Sequence, residues 1–204
     1  ATTGGTLPGY ATGGQQQFFA YNPLVGTVVA DGNHWRLSPQ AYYYHGPLGL
    51  MAEYAISHQR VTRAGTLVLP ALSTSLQHTA WQIAASWVFT GEDASFNGVV
   101  PRRPFDIANG QWGAFQIVGR YTALDIDDDA FPTFANPDFS ASSASGWSAG
   151  INWYLNRNVR LNASYSYTTF DGGGGTGIGG GTVAPAIVTR QAEQVFFTRV
   201  QLAF

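Results

Sequence analysis

The last twelve residues, Glu193-Gln-Val-Phe-Phe-Thr-Arg-Val-Gln-Leu-Ala-Phe204, restrict the fold most. Phe196, Thr198, Val200, Leu202 and Phe204 alternate with Phe197, Arg199, Gln201 and Ala203. A period of two puts the first set on one face of a strand and the second on the other. One face suits lipid and the other suits water. A strand so divided, running to a terminal aromatic residue, is the closing strand expected of a β-barrel in a bacterial outer membrane.

Composition agrees with a lipid-exposed surface. Charged groups make up 11% of the 204 residues, against roughly 25% in ordinary soluble domains, and aromatics 14%. No run of the roughly 18 apolar residues needed by a spanning helix occurs, and mean hydropathy is −0.06. Spanning helices are thereby excluded and alternating strands remain. Cysteine is absent, which excludes disulfides and thiolate metal sites. All ten basic residues are arginine, and a net charge of −2 gives no argument for a nucleic-acid partner. The chain begins at Ala1 with no initiator Met and no basic-then-apolar leader, so the expectation is a removed signal peptide or part of a longer polypeptide.

Period-two patterning marks seven segments as strands. Trp35, Leu37, Ala41 and Tyr43 form a hairpin with Leu48, Leu50, Ala52, Tyr54 and Ile56 across the turn His45-Gly46-Pro47. Trp81 to Thr90 and Phe115 to Thr122 follow the same alternation. Trp147 to Leu155 forms a second hairpin with Val159 to Thr168 across Asn156-Arg157-Asn158, and the closing strand completes the set. Gln15 to Tyr21 is a fainter eighth candidate. Parity places residues 22–33, 61–77, 127–143 and 171–192 outside the cell, the last a flexible loop by virtue of its glycine runs. The connection 91–110 falls on the periplasmic side, where a short turn is expected, so something is built there. Trp35, Trp81, Trp112, Trp147 and Trp153 fit the aromatic girdles of such barrels.

Only inward positions of a barrel meet a solute, so the charges sort by parity. Arg36, Arg120, Arg160 and Arg199 fall on the polar faces, opposed on the strands by Glu53 alone. Such an imbalance focuses positive potential along a pore. Eight acids, namely Asp31, Asp125, Asp127, Asp128, Asp129, Asp138, Asp171 and Glu193, fall in the outer loops. Asp125, Asp127 and Asp129 have the spacing that opens a calcium loop, but Ala130 replaces its glycine and Asn136 its closing Glu. A solvated acidic rim, sharing divalent ions with lipopolysaccharide, is expected instead. His34, His45, His58 and His78 have no zinc spacing and no nucleophile motif beside them, and adjacent Glu92 and Asp93 suit a turn better than acid/base work. No enzyme site emerges.

The stretch Thr90-Gly91-Glu92-Asp93-Ala94-Ser95-Phe96-Asn97-Gly98-Val99-Val100-Pro101-Arg102-Arg103-Pro104-Phe105-Asp106, followed by Gly110-Gln111-Trp112-Gly113-Ala114, resembles the phosphate-selective porin O and P family. So do Tyr42-Tyr43-Tyr44-His45-Gly46-Pro47-Leu48-Gly49, Asn152-Trp153-Tyr154-Leu155-Asn156 and Arg199-Val200-Gln201-Leu202-Ala203-Phe204. The resemblance implies a homotrimeric channel of sixteen strands, of which residues 1–204 would be the C-terminal half. It also implies a periplasmic turn, 91–110, folded back into the barrel, with Arg102 and Arg103 near the inner mouth. The phosphate-selective members carry closely spaced arginines on an inward-folded loop early in this half. Here Gly13-Gly14-Gln15-Gln16-Gln17 offers amides instead, which lack the bidentate, charge-assisted bonding of guanidinium.

The expectation is therefore an all-β, antiparallel transmembrane barrel with about eight strands visible. It would pass small anions or anionic nutrients such as phosphate by passive diffusion, drawn by Arg36, Arg102, Arg103, Arg120, Arg160 and Arg199. Its partners would be identical subunits, outer-membrane lipid and lipopolysaccharide, and no cofactor is implied. The alternative is a small non-conducting barrel acting as an anchor or assembly component, since an eight-strand interior can be filled by side chains.

Overall fold

The computed structural model describes residues 7–67, 69–175 and 188–203. It is an all-β antiparallel structure: β1 (Tyr10–Ala11), β2 (Gln17–Phe19), β3 (Val28–Leu37), β4 (Gln40–His45), β5 (Leu48–Arg63), β6 (Leu72–Val88), β7 (Ala114–Asp125), β8 (Ala141–Tyr154), β9 (Val159–Gly172) and β10 (Glu193–Leu202). One sheet of eight strands runs β10-β9-β8-β7-β6-β5-β3, with β4 also on β5. β3 pairs with the second half of β5 and β4 with the first, so these two share one lane. Pro39 divides that lane because it has no N–H to give, although its carbonyl still accepts from Tyr54 N at 3.1 Å. The sheet remains open between this lane and β10.

Register follows parity along the wall, apart from a bulge between Ala141 and Ser143 in β8: Tyr54 faces Trp81, Ile83 faces Tyr121, Tyr121 faces Trp147, and Tyr165 faces Phe196. These residues share one bare face, on which Trp35, Leu50, Ile83, Ile117, Trp147 and Phe196 are exposed. Aromatics gather in two bands on it. Trp35 on His58, Trp81 on Tyr121 and Trp147 on Tyr165 form one. The stack of Phe89 on Phe115 and Phe115 on Trp153 forms the other, at the end of the short turns. Trp112 joins it, its carbonyl accepting from Trp153 Nε1 at 2.6 Å.

The strands run past this apolar band, so several expected loops shorten. β5 and β6 extend to residues 63 and 72, leaving only 64–71 between them. Asp31, Asp125, Asp171 and Glu193, expected in loops, lie on strands. The glycine-rich connection is also less loose than its composition suggests. Gly172 belongs to β9, Gly173 bridges Thr189, and Gly174 N donates to Val188 O at 2.7 Å. Gly179 to Gly181 and Phe204 lie outside the described residues.

Gln15 to Tyr21 is not a wall strand. Its central residues, Gln17–Phe19, pair with Tyr10–Ala11 in a separate two-stranded sheet laid over the other face of the main sheet. The reason lies at Phe18 and Phe19: successive aromatic residues, both buried, cannot alternate between lipid and water. They pack with Val61, Leu76, Ala144 and Phe170 of the wall, and with Ala130, Phe134 and Ala135 of the β7–β8 connection. The covered face is the inner face of the wall, and this cluster covers its end away from the short turns.

Candidate functional site

The inner face is built by the even-numbered residues of β3, β4, β6, β7, β8 and β9 and by the odd-numbered ones of β5 and β10. Arg36, Arg120, Arg160 and Arg199 all stand on it. Arg36 Nε donates to Ser57 Oγ at 3.3 Å. Arg160, half-buried, donates to Gln201 Oε1 at 2.5 Å and to the Tyr154 hydroxyl at 3.3 Å, with its guanidinium 5.6 Å from the Tyr154 ring centre. Arg199 stands opposite Asn162 and Arg160 opposite Gln201, which puts these two guanidinium-bearing positions on adjacent strands. Arg120 lies by Gly13 at the tip of the β1–β2 hairpin, in a recess of about 400 Å³ shared with Ser148, Asn162 and Ser164.

Two further charges join them that parity did not bring out. Arg63 continues the inner row of β5 and donates to Pro70 O at 3.2 Å. Glu193, expected in an outer loop, opens β10 on the inner face opposite Thr168. Glu53 is fully engaged: Oε1 accepts from Ser38 Oγ at 2.5 Å and Gln40 Nε2 at 3.0 Å, and Oε2 from Gln82 Nε2 at 2.6 Å. Its carboxylate keeps its negative charge but is held by neutral donors rather than by any of the wall arginines.

The connection 91–110 splits the other two arginines between different tasks. Glu92 is buried and accepts from the Thr90 hydroxyl and, at 3.4 Å, from Arg102 N. The Arg102 guanidinium donates to Gly91 O at 2.8 Å, which closes residues 91–102 into a loop. Arg103 is exposed beside it. Phe96 meets the inner-face Tyr42 edge-on at 5.2 Å between ring centres. Residues 97–100 line a recess with Tyr154, Arg160 and Gln201. The segment therefore reaches from β4 at one side of the wall to β9 and β10 at the other.

Beyond it, Asp106 caps a short 3-10 turn, Ile107–Asn109. Its Oδ1 accepts from Ala108 N at 3.0 Å and its Oδ2 from Asn109 Nδ2 at 2.7 Å. The Asn109 bond, ahead of the backbone ones, holds this carboxyl below the usual aspartate range. Gly113 then passes so close to Tyr154 that a Cβ would lie 2.2 Å from the Tyr154 carbonyl oxygen, and its φ of +73° is one that glycine alone tolerates well.

At the other end, Asp127 of the calcium-like run caps the short turn Asp128–Ala130. Asp127 Oδ1 accepts from Asp129 N at 3.0 Å and Oδ2 from Gln77 N at 2.7 Å. Among the described residues no group of three or more His, Asp or Glu side chains is placed to hold a metal ion. His34, His58 and His78 lie within strands, not at their ends. His78 is buried and bonded to Tyr21 and Asp127, a role that the sequence does not signal because its partners come from irregular segments. Arg190 was equally hidden: it donates to Gln17 O at 2.6 Å and Phe139 O at 3.4 Å and lies over the Phe170 ring, tying the inner hairpin to the β7–β8 connection.

The description "Phosphate-selective porin O and P" matches residues 6–172, from the inner hairpin through β9. The stretch includes Arg36, Arg102, Arg103, Arg120 and Arg160, while Arg199 lies beyond it. A search of curated proteins finds no match. With well over half of its length matched and an antiparallel wall bearing a bare apolar face, the chain belongs to the phosphate-selective porin O and P family of outer-membrane porins.

Proposed function

We propose that this chain forms part of a channel through which small anions, phosphate among them, diffuse passively. The observation that carries the reading is the inner wall itself. Arg36, Arg120, Arg160 and Arg199 project from four separate strands, the partners of Arg36 and Arg160 are neutral oxygens, and the inner-face carboxylates Glu53 and Glu193 are outnumbered by these arginines. Positive groups on low-dielectric walls raise the local anion concentration and lower the barrier to anion entry. Arg103 extends that potential to the periplasmic mouth, and the 91–110 segment narrows it.

The test is the reversal potential of the intact channel, purified from its native membrane, in a planar bilayer under a KCl gradient. A potential of the sign set by chloride is expected. Preference for potassium overturns the proposal. Closure of the open sheet into a sixteen-stranded barrel and assembly as a homotrimer, with lipid and lipopolysaccharide around it, belong to the same proposal and rest on the family. The protein mass in the undenatured detergent complex should be three times the denatured subunit mass, and an equal mass would remove the trimer.

A further inference from the structure

The inner hairpin does not lie flat on the wall everywhere. Tyr10 is held by ring contacts with Phe19 at 5.7 Å and His78 at 5.6 Å, and it overhangs β3, β5 and β6. Ala55 and Ala80 are small side chains on the inner face beneath it, and the space they leave is a recess of about 260 Å³ whose lining is mainly apolar. Leu124 closes one side. Arg36 and Ser57 stand at its edge. Arg36 uses Nε on Ser57, and its two Nη groups make no hydrogen bond to any described residue. The free end of the guanidinium is thus the pair of donors that binds a carboxylate side-on.

We infer that this recess is a subsite for monocarboxylate anions carrying an apolar monocyclic body, with Arg36 holding the carboxylate and Tyr10, Ala55, Ala80 and Leu124 enclosing the ring. The inference rests on the anion-channel reading. The space is slightly smaller than the roughly 300–1,000 Å³ of pockets for drug-sized ligands, which fits one ring. An inorganic oxyanion would satisfy Arg36 but leave the apolar walls wet. An aryl carboxylate satisfies both, because each apolar carbon removed from water adds favourable free energy.

The experiment is current block in single channels of the intact protein in KCl, with benzoate, acetate and inorganic phosphate as probes. Benzoate should half-block the current at about tenfold lower concentration than either of the others, the margin expected from burying a ring. Arg36→Gln should raise the benzoate concentration required about tenfold, and Leu124→Asn should weaken block by benzoate more than block by acetate. Equal block by the three anions in the unaltered channel overturns the subsite, a comparison that holds even if neither variant inserts. Preference for potassium in the same bilayers would overturn the anion-channel reading itself. Anion preference with equal block would sink the subsite alone.

Discussion

The Nε2 atom of His78 lies 2.6 Å from the hydroxyl of Tyr21. Its other ring nitrogen, Nδ1, accepts the backbone N–H of Asp127 at 3.1 Å, so the proton of the neutral ring belongs on Nε2 and is donated to Tyr21. One buried side chain of β6 thereby holds the inner hairpin and the β7–β8 connection to the wall. Burial raises the Tyr21 hydroxyl pKa well above its ordinary value, so this phenol stays protonated.

Replacing His78 by Ala should release both segments. It leaves the Asp127 N–H and the Tyr21 hydroxyl without partners in a buried setting, a cost of about 2 kcal/mol. Hydrogen exchange at Tyr21 and over residues 126–136 should quicken while the amides of β8 and β9 keep their protection. Uniform loss of protection across the wall would contradict this local role.

Acid should fray the short turn after Asp106. The native carboxyl titrates below the ordinary value, so its contribution to stability is complete above the unfolded pKa and disappears as pH falls through the lowered native one. Exchange at Ala108 should therefore accelerate only in acid below that ordinary range. Asp106→Asn should remove the pH dependence, and a persistent acid transition in that variant would assign it to another group.

Gly113→Ala should part the start of β7 from the end of β8. The added methyl meets the Tyr154 carbonyl oxygen, a backbone atom that cannot swing aside, and the positive φ adds a further penalty, together about 2–3 kcal/mol. The urea midpoint should fall and the Trp153 fluorescence should redden as its bond to Trp112 O opens. An unchanged midpoint would show that the strands adjust without loss.

Arg160→Gln tests the charge on the wall separately from its bonding. Glutamine retains a donor toward Gln201 but carries no charge, so the permeability ratio of chloride over potassium should fall roughly twofold. The same ratio in the variant would mean that Arg160 serves the Tyr154 ring and the β10 junction alone.

The sequence displayed the membrane-crossing part of each strand but not its continuation, and β6 shows why. Trp81, Ile83, Ala85 and Trp87 put apolar groups at odd positions, facing lipid. Further from the short turns the phase reverses. Leu76 and His78, both buried, are even, and Ser73, Ser75 and Gln77 are odd, because there the inner face meets the buried hairpin and the outer face meets water. A search for one unbroken phase stops where the solvent on each side exchanges. The same exchange explains Leu124, Ala144 and Phe170, all apolar on the inner face. The wall arginines were legible because they lie where the phase is simple. His78, Tyr21 and Arg190 were not, since each acts across segments far apart in the chain that no local period relates.

The proline that divides the β3–β4 lane has a consequence for growth of the sheet. Residues of an antiparallel strand point N–H and C=O to the same side, and Pro39 points toward β5, where its carbonyl still takes the bond from Tyr54. The lost donor is therefore an inside loss, felt by the Tyr54 carbonyl. On the far side Arg36, Ser38, Gln40 and Tyr42 present an uninterrupted row of donors and acceptors. A proline one residue earlier or later would have blunted that row, as prolines do on protected edges. Placed where it is, it weakens a completed joint slightly and leaves the lane a seam ready to be sewn to another strand.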